Sequence, residues 1–166
     1  MDDKGEAAEA VTSFETGRMG TAWKAQWITD GEYHFTEKKI SPKTMTFRKK
    51  IACSKKVTKA RLYTTALGIY EMTLNGEKVG DIYFAPGFTS YKHQLQYQTY
   101  DVTEQLKSSE GMENELIAVV GGGWAVGSFT YKRVNRNYAD RQALLCELRI
   151  TYEDGSEEII GTDESW

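Results

Sequence analysis

Apolar and polar side chains alternate along much of the chain from Met45 onward, and this pattern predicts β-strands. Successive side chains of a strand point to opposite faces, so apolar residues two positions apart share one face. Met45, Phe47 and Ile51 follow this rule, and the stretches 60–66 and 144–152 repeat it. We therefore expect each of these stretches to cover a common interior with one face.

A hairpin signal follows the alternating stretch 70–74. Asn75-Gly76 stands directly after it, and both residues tolerate the positive φ angles of a tight hairpin turn. We expect a return strand over about residues 78–84 and a bend at Pro86-Gly87. The aromatic residues between 83 and 91 are predicted to close one end of the domain.

Further strands and turns are predicted on both sides of this hairpin. Residues 93–102 alternate again, and Thr103 can cap one short helical turn after them. Asp154-Gly155 predicts a turn into a last strand that passes through Ile160. The stretch 17–22, GRMGTA, is typical of a flexible connection.

Residues 115–124, ELIAVVGGGW, are apolar at consecutive positions, which predicts a central strand covered on both faces. The three glycines lack the Lys-Ser/Thr of a phosphate-binding loop. We interpret them as positions where the backbone leaves a strand sharply or approaches a neighbour closely.

The predicted elements indicate one all-β domain. No stretch carries a convincing apolar stripe of a helix, and short strands separated by turns are typical of an antiparallel β-sandwich, here of jelly-roll type. The 166 residues are enough for one compact domain. Residues 13–166 would form it, while the charged, Ala-rich residues 1–12 would be a flexible tail or the end of a preceding module.

Composition narrows the classes of function. The formal net charge is −3 and the isoelectric point is near 5.5, whereas dedicated nucleic-acid binders carry a basic excess. No apolar run is long enough to cross a bilayer, and the first residues lack the apolar segment of a secretory signal. We expect no nucleic-acid partner and no membrane contact; the cellular location stays open. Cys53 and Cys146 are expected to be reduced core residues, with a disulfide as the open alternative.

Candidate catalytic residues are few and dispersed. His34 and His93 have no serine or cysteine nearby in a nucleophile motif, so we expect both at the surface. Paired carboxylates could hydrolyse a glycoside, but the available ones are equally well explained as surface charges. They are Glu15, Glu71, Asp81, Asp101 and Asp140. The stretch 131–141 holds four cations and two tyrosines, which could meet an anionic polymer but is more typical of a solvated loop.

Several segments together resemble, in order and spacing, the N-terminal region of bacterial α-L-rhamnosidases. The first is SFETGRMGTAWKAQWI at 13–28, and the most characteristic is ARLYTTALGIYEMTLNGEKVGDIYFAPGFTSYKHQLQYQTYDVT at 60–103. The segments NELIAVVGGGWAVGSF, YADRQALLCELRITYEDG and TDESW follow. The resemblance spans about residues 13–166 and implies a jelly-roll, galactose-binding-domain-like fold.

In that family, an (α/α)6 barrel further along the chain holds the acidic residues that hydrolyse terminal α-L-rhamnosides with inversion. The resemblance therefore implies a non-catalytic accessory domain that binds carbohydrate or positions the catalytic domain. A purely structural interdomain module without a ligand is the alternative. The implied partners are other domains of the same polypeptide and a rhamnose-containing glycan.

The resemblance also implies a ligand surface. Relatives of this domain include carbohydrate-binding modules for L-rhamnose, some of which use calcium, so no cofactor is required but calcium is possible, with unknown ligands. Trp124 would be the platform for the sugar, with polar partners in the following loop and a contribution from the hairpin. The implied carbohydrate-binding residues are Trp124, Tyr70, Glu71, Arg136, Asn137, Asp140 and Arg141. The alternative is that Trp124 and Tyr70 fill the core while Asp140 pairs with Arg141.

The sequence departs from the family pattern at two positions beside this surface. Phe88 stands where a Trp is usual after Pro-Gly, and Ala125 stands where a Tyr often follows Gly-Trp. Both departures remove aromatic surface near the implied site.

Overall fold

Two four-stranded antiparallel sheets form the body of the molecule. The computed structural model describes residues 9–30, 42–107 and 112–166. The strands of these residues are β1 (Met45–Ala52), β2 (Val57–Leu67), β3 (Ile69–Leu74), β4 (Glu77–Lys78), β5 (Gln98–Asp101), β6 (Glu113–Gly121), β7 (Ala143–Tyr152) and β8 (Glu157–Gly161), with one four-residue helix, α1 (Gly123–Val126). The sheet orders are β1-β6-β3-β4 and β5-β2-β7-β8. The predicted all-β antiparallel sandwich is confirmed.

The interior lies between the two sheets and is built from alternating residues of each strand. Every second residue of β6, from Asn114 to Val120, is buried, and β1 and β3 show the same period. Cys53 and Cys146 are buried free thiols, as predicted. The largest fully buried apolar side chains are Leu62, Met72, Leu74, Leu116, Leu144, Leu148 and Ile150. Burying a side chain of this kind contributes about 1.5–3 kcal/mol to the free energy of unfolding.

The predicted hairpin turn is confirmed, but its return strand is shorter than predicted. Asn75 and Gly76 have φ angles of 55° and 84°, as a tight turn between twisted strands requires. Directly after β4, the N–H of Val79 donates to the carbonyl of Met72 at 2.9 Å. The next contact with β3 is at Ala85, whose carbonyl oxygen accepts the N–H of Tyr70 at 2.8 Å. Gly80 leaves the sheet at a φ of +69°, where a Cβ atom would collide with a tyrosine ring of β5.

The region around β5 also differs from the prediction. The strand begins at Gln98, so only the second half of the alternating stretch 93–102 is paired. The residues after it form the single turn predicted, in which the N–H of Leu106 donates to the carbonyl of Val102 at 3.2 Å with the four-residue spacing of a helical hydrogen bond. The carboxylate of Asp101 accepts hydrogen bonds from the N–H and the hydroxyl of Thr103. Asp101 therefore has the capping role that was predicted for Thr103.

The strand covered on both faces is β7, not β6. The outward face of β6 carries Ile117 and Val119, and Val119 is 41% exposed. The prediction was wrong because no segment among the described residues packs over the apolar residues on the second face of β6. In β7, both faces from Ala143 to Leu148 are buried.

Residues 15–28, here called the N-terminal strap, are attached to the sheet β5-β2-β7-β8 beside β7. The N–H of Ile28 donates to the carbonyl of Leu144 at 2.9 Å, and the reverse bond is also formed. The N–H of Gln26 donates to the carbonyl of Thr162 at 2.7 Å, next to the end of β8. The strap therefore extends the sheet from a distant part of the chain.

A buried ion pair anchors the strap. The guanidinium of Arg18 contacts Glu147 at 2.7 Å and stacks 4.1 Å from the ring of Trp23. The N–H of Lys24 donates to the second oxygen of the same carboxylate at 2.6 Å. The stretch 17–22, predicted to be a flexible connection, is therefore an anchored turn. No helix of the described residues has the length and apolar character needed to span a bilayer.

Candidate functional site

Glycines bring α1 against the connection between β2 and β3 at one end of the sandwich. Gly68 has a φ of +136°, and a Cβ atom there would collide with the carbonyl oxygen of Gly121. Gly123 has a φ of +48°, and a Cβ atom there would lie 2.6 Å from the side chain of Ile69. The interpretation that the glycines of 121–123 permit close backbone approach is confirmed at Gly123, which lies against the backbone of Gly68 and Ile69. The approach places Trp124 at this end of the molecule.

Five rings gather around this tryptophan, and we call them the aromatic end: Phe84, Phe88, Tyr91, Trp124 and Tyr138. The Trp124 ring centroid lies 6.2 Å from that of Phe84 and 6.4 Å from that of Phe88, both edge to face. The Phe88 ring also contacts Tyr91 and Tyr138 at 5.9 and 6.3 Å. Phe84 is 64% and Phe88 55% exposed, whereas Trp124 is half-buried. The prediction that these rings seal the end was wrong, because they present aromatic surface to solvent there.

The loop between α1 and β7 folds back onto the helix. The N–H of Arg136 donates to the carbonyl of Val126 at 2.9 Å, and the N–H of Tyr138 donates to that of Ala125 at 3.2 Å. These bonds place the Tyr138 ring 5.1 Å from that of Tyr91. The loop and the segment 84–91 therefore form one continuous surface.

The structure places five of the seven predicted site residues at or beside this surface, as residues of α1 and of the loop that follows it. Trp124 lies among its rings, and the other four belong to the loop that folds onto it. Arg136 donates to the side chain of its neighbour Asn135 at 3.0 Å, and Asn137 donates to the carbonyl of Val134 at 3.2 Å. Asp140 and Arg141 are exposed.

The two residues predicted from the hairpin lie elsewhere, on opposite faces of β3. Tyr70 is 6% exposed, and its hydroxyl donates to the side-chain oxygen of Gln98 at 2.8 Å. Burial, followed by the nearby hydroxyl of Tyr100, raises the pKa of Tyr70. Glu71 faces outward and contacts Lys78 at 3.4 Å. Tyr70 therefore fills the core, as the alternative interpretation stated, because adjacent strand residues cannot share a face.

Two of the dispersed carboxylates meet at Arg61, in a shallow hollow. Its guanidinium contacts Glu15 at 2.6 Å and Asp101 at 2.8 Å. Hydrogen bonds from Arg61 and Lys59 lower the pKa of Glu15 to about 2. Burial acts to raise the pKa of Asp101, but hydrogen bonds from Thr103 and the charge of Arg61 outweigh it, so the pKa is lowered. Both groups are anions at neutral pH, whereas a glycosidase general acid needs a raised pKa.

The described part of the chain contains no cluster of side chains suited to a metal ion. Residues 9–30, 42–107 and 112–166 contain no group of three His, Cys, Asp or Glu side chains that could hold a metal ion. His93 is exposed, as predicted, and His34 lies outside the described residues. Calcium held by amide or carbonyl oxygens stays a prediction.

The sequence analysis did not count Phe84, Tyr91 or Tyr138 among the ligand-binding residues, and it missed the anchor of the strap. A sequence pattern could have identified two of them, since Phe84 lies among the aromatic residues 83–91 and Tyr138 lies in the stretch 131–141 with a second tyrosine. No sequence pattern indicated the Arg18–Glu147 pair, because a charged residue such as Glu147 in an alternating strand is normally assigned to the solvent-exposed face. Glu147 is nevertheless completely buried.

Comparisons with known proteins show the family of the chain. The model of the alpha-L-rhamnosidase N-terminal domain family matches residues 55–166. An alpha-L-rhamnosidase of Formosa agariphila is 34% identical over 171 residues, which cover 100% of this chain and 18% of that protein. The crystal structure of the Aspergillus terreus alpha-L-rhamnosidase is 38% identical, with a TM-score of 0.78, over 86% of this chain and 16% of that chain.

A third similar protein is the alpha-L-rhamnosidase of Streptomyces avermitilis, whose crystal structure is a complex with L-rhamnose. It is 41% identical, with a TM-score of 0.69, over 76% of this chain and 12% of that chain. The present chain therefore spans less than a fifth of the length of each of these relatives.

Proposed function

The chain belongs to the alpha-L-rhamnosidase N-terminal domain family, and on that premise we propose that it is a non-catalytic accessory domain of an α-L-rhamnosidase. The parent protein would hydrolyse terminal α-L-rhamnosides through a catalytic domain elsewhere in the polypeptide. The aromatic end of this domain would bind carbohydrate. One observation carries the proposal: Trp124 stands among exposed rings, beside a loop of polar side chains.

The charge state of the paired carboxylates supports a non-catalytic role. Glycoside hydrolysis needs one carboxyl group that stays protonated near neutral pH and a second that is ionised. Glu15 and Asp101 are both ionised, because Arg61 and other donors stabilise their anions. The contacts with Arg61 also occupy both oxygens of Glu15 and one oxygen of Asp101.

The chemistry of the aromatic end supports carbohydrate binding. A sugar presents an apolar C–H face that packs on an aromatic ring, while amides, carboxylates and guanidinium groups bind its hydroxyls. Rhamnose lacks the 6-hydroxyl, so its methyl group favours an apolar lining such as Phe84 and Phe88 provide. L-Rhamnose is also the sugar in the Streptomyces avermitilis complex, which makes it the first ligand to test.

Tryptophan fluorescence tests the sugar site directly. We expect L-rhamnose at millimolar concentration to change the emission of the wild-type chain, and Trp124→Phe to abolish that change. Trp27→Phe is the matched control, because Trp27 is 43% exposed and lies on the strap. Titrations with calcium and with a chelator decide whether a metal takes part. The absence of any response, or a response lost only with Trp27, contradicts the carbohydrate proposal.

Activity measurements test the accessory role separately. We expect the 166-residue chain to release nothing from an aryl α-L-rhamnoside, while the complete parent protein hydrolyses it. Turnover by the chain alone, lost in Glu15→Gln or Asp101→Asn, would contradict the proposed absence of catalysis.

A positioning role for the same end is the second candidate. Ile82 and Tyr83 are 48% and 72% exposed directly beside Phe84, which makes this surface more apolar than one sugar ring requires. If another domain of the polypeptide covers this surface, amide hydrogens at 82–88 should exchange more slowly in the parent protein than in the isolated chain. Equal exchange in both, together with the rhamnose response, favours the carbohydrate site.

A further inference from the structure

Residues 128–141 form a basic loop in an acidic chain. The loop contains one carboxylate, Asp140, and four cationic side chains, Lys132, Arg133, Arg136 and Arg141. Its formal charge is therefore +3, whereas the total charge of the chain is −3. The segments packed against the loop, α1 and residues 84–91, contain no carboxylate. The elements that support the loop therefore supply no carboxylate to the two cations at its tip, Lys132 and Arg133.

Backbone hydrogen bonds hold the tip of the basic loop in one arrangement. The N–H of Phe129 donates to the carbonyl of Val134 at 2.8 Å, and the N–H of Arg133 donates to that of Thr130 at 3.0 Å. Between these bonds, Tyr131 is fully exposed and Lys132 is exposed beside it. The tip thus presents two neighbouring cations and an aromatic ring to solvent.

The same loop joins the tip to the aromatic end. Tyr138 contacts Phe88 and Tyr91 at 6.3 and 5.1 Å. Tyr138 is five residues along the chain from Arg133, so the tip and the aromatic end belong to one loop.

We propose that the basic loop binds an acidic polysaccharide, a glycan whose uronate carboxylates pair with Lys132 and Arg133 while its sugar faces pack on Tyr131. This inference rests on the proposed carbohydrate-binding function and deepens it by naming the class of glycan. Charge complementarity selects an anionic chain over a neutral one. The exposed tyrosines select a chain of sugar rings over a simple anion, because each ring offers an apolar face.

Binding of polygalacturonate, compared with its methyl-esterified form, tests the charge requirement. The two polymers share a backbone and differ in carboxylate charge. We expect the wild-type 166-residue chain to bind polygalacturonate at low salt, to bind the esterified polymer at least about tenfold more weakly, and to lose affinity as added salt screens the charges. Affinity electrophoresis and calorimetry measure the affinity for each polymer and its dependence on salt.

A charge-matched pair of variants tests the location. Lys132→Gln/Arg133→Gln removes two positive charges at the loop tip, and Lys55→Gln/Lys56→Gln removes two at the connection between β1 and β2. We expect the loop variant to bind polygalacturonate about tenfold more weakly, corresponding to about 1.4 kcal/mol. The control should stay within about twofold of the wild type, because Lys55 and Lys56 follow the end of β1 where Ala52 pairs with Glu113, opposite the end of β6 that leads into α1. The length of such a strand, about 25 Å, exceeds the Debye length of about 10 Å.

Three outcomes would overturn the inference: equal binding of the two polymers, equal weakening by both variants, and absence of binding. Tighter binding of single-stranded DNA than of polygalacturonate through the same loop would also overturn it. The rhamnose titration separates this inference from the proposed function. A Trp124-dependent rhamnose response without polygalacturonate binding removes only the inference, whereas polygalacturonate binding without that response removes only the rhamnose site.

Discussion

Glu147 is the buried charge that holds the N-terminal strap, and Glu147→Ala tests that role. The carboxylate is completely buried and accepts three hydrogen bonds, from Arg18 at 2.7 Å, from the N–H of Lys24 at 2.6 Å and from Arg149 at 2.7 Å. Its removal leaves the Arg18 side chain, 5% exposed, without its anion. Breaking a buried ion pair costs about 3–5 kcal/mol. A domain of this size has a free energy of unfolding of about 5–15 kcal/mol.

Urea denaturation followed by tryptophan fluorescence measures this effect. We expect the unfolding midpoint of Glu147→Ala to fall far below that of the wild type. We also expect trypsin to cleave the strap of the folded variant at Arg18 or Lys24, because the residues that held it have lost their acceptor. The double variant Arg18→Met/Glu147→Leu should recover most of the lost stability, since similar-sized apolar side chains remove both buried charges together.

An exposed ion pair provides the control. Glu113 contacts Lys50 at 2.7 Å, but the two side chains are 55% and 63% exposed. Glu113→Ala should therefore unfold close to the wild type, because water already screens this pair. If Glu147→Ala and Glu113→Ala have the same midpoint, and trypsin leaves the strap intact in both, the buried pair does not hold the strap.

Further predictions concern pH, two glycines and the two thiols. Burial acts to raise the pKa of Glu147, but its three donors outweigh it and the net pKa is lowered. Its contribution is therefore full above the ordinary pKa of about 4.3 and is lost as the pH falls through the lower folded value. Urea midpoints between about pH 4.5 and 2.5 should fall less steeply in Glu147→Gln than in the wild type, and parallel slopes would contradict this. Gly68→Ala should lower the thermal midpoint strongly, because its Cβ atom would meet backbone at a φ of +136°, whereas Gly155→Ala, at +78° in open space, should cost only about 1–2 kcal/mol. Burial raises the pKa of both Cys53 and Cys146, so a thiol reagent at neutral pH should label them only after unfolding; rapid labelling of the folded chain would contradict their burial.

The candidate site was predictable in part because it is local in sequence. Trp124 and the loop that follows it are joined by short stretches of chain, so their proximity needs only the turn at the glycines. Tyr70 and Glu71 were assigned to the same surface although they alternate along β3, and the pleat of the strand sends them to opposite faces. The meeting of Glu15 with Asp101 at Arg61 joins segments far apart in the chain, and no local pattern contains it.

Local patterns predicted most of the strands, the hairpin turn at Asn75-Gly76 and the residues that face the interior, because side-chain period and turn chemistry act over a few neighbouring residues. Which outer faces are covered could be seen only in the folded molecule. The strap lies over β7 and buries Glu147, whereas Val119 of β6 stays exposed. Burial of an outer face depends on which distant segment lies over it, and the strap reaches β7 from more than a hundred residues away.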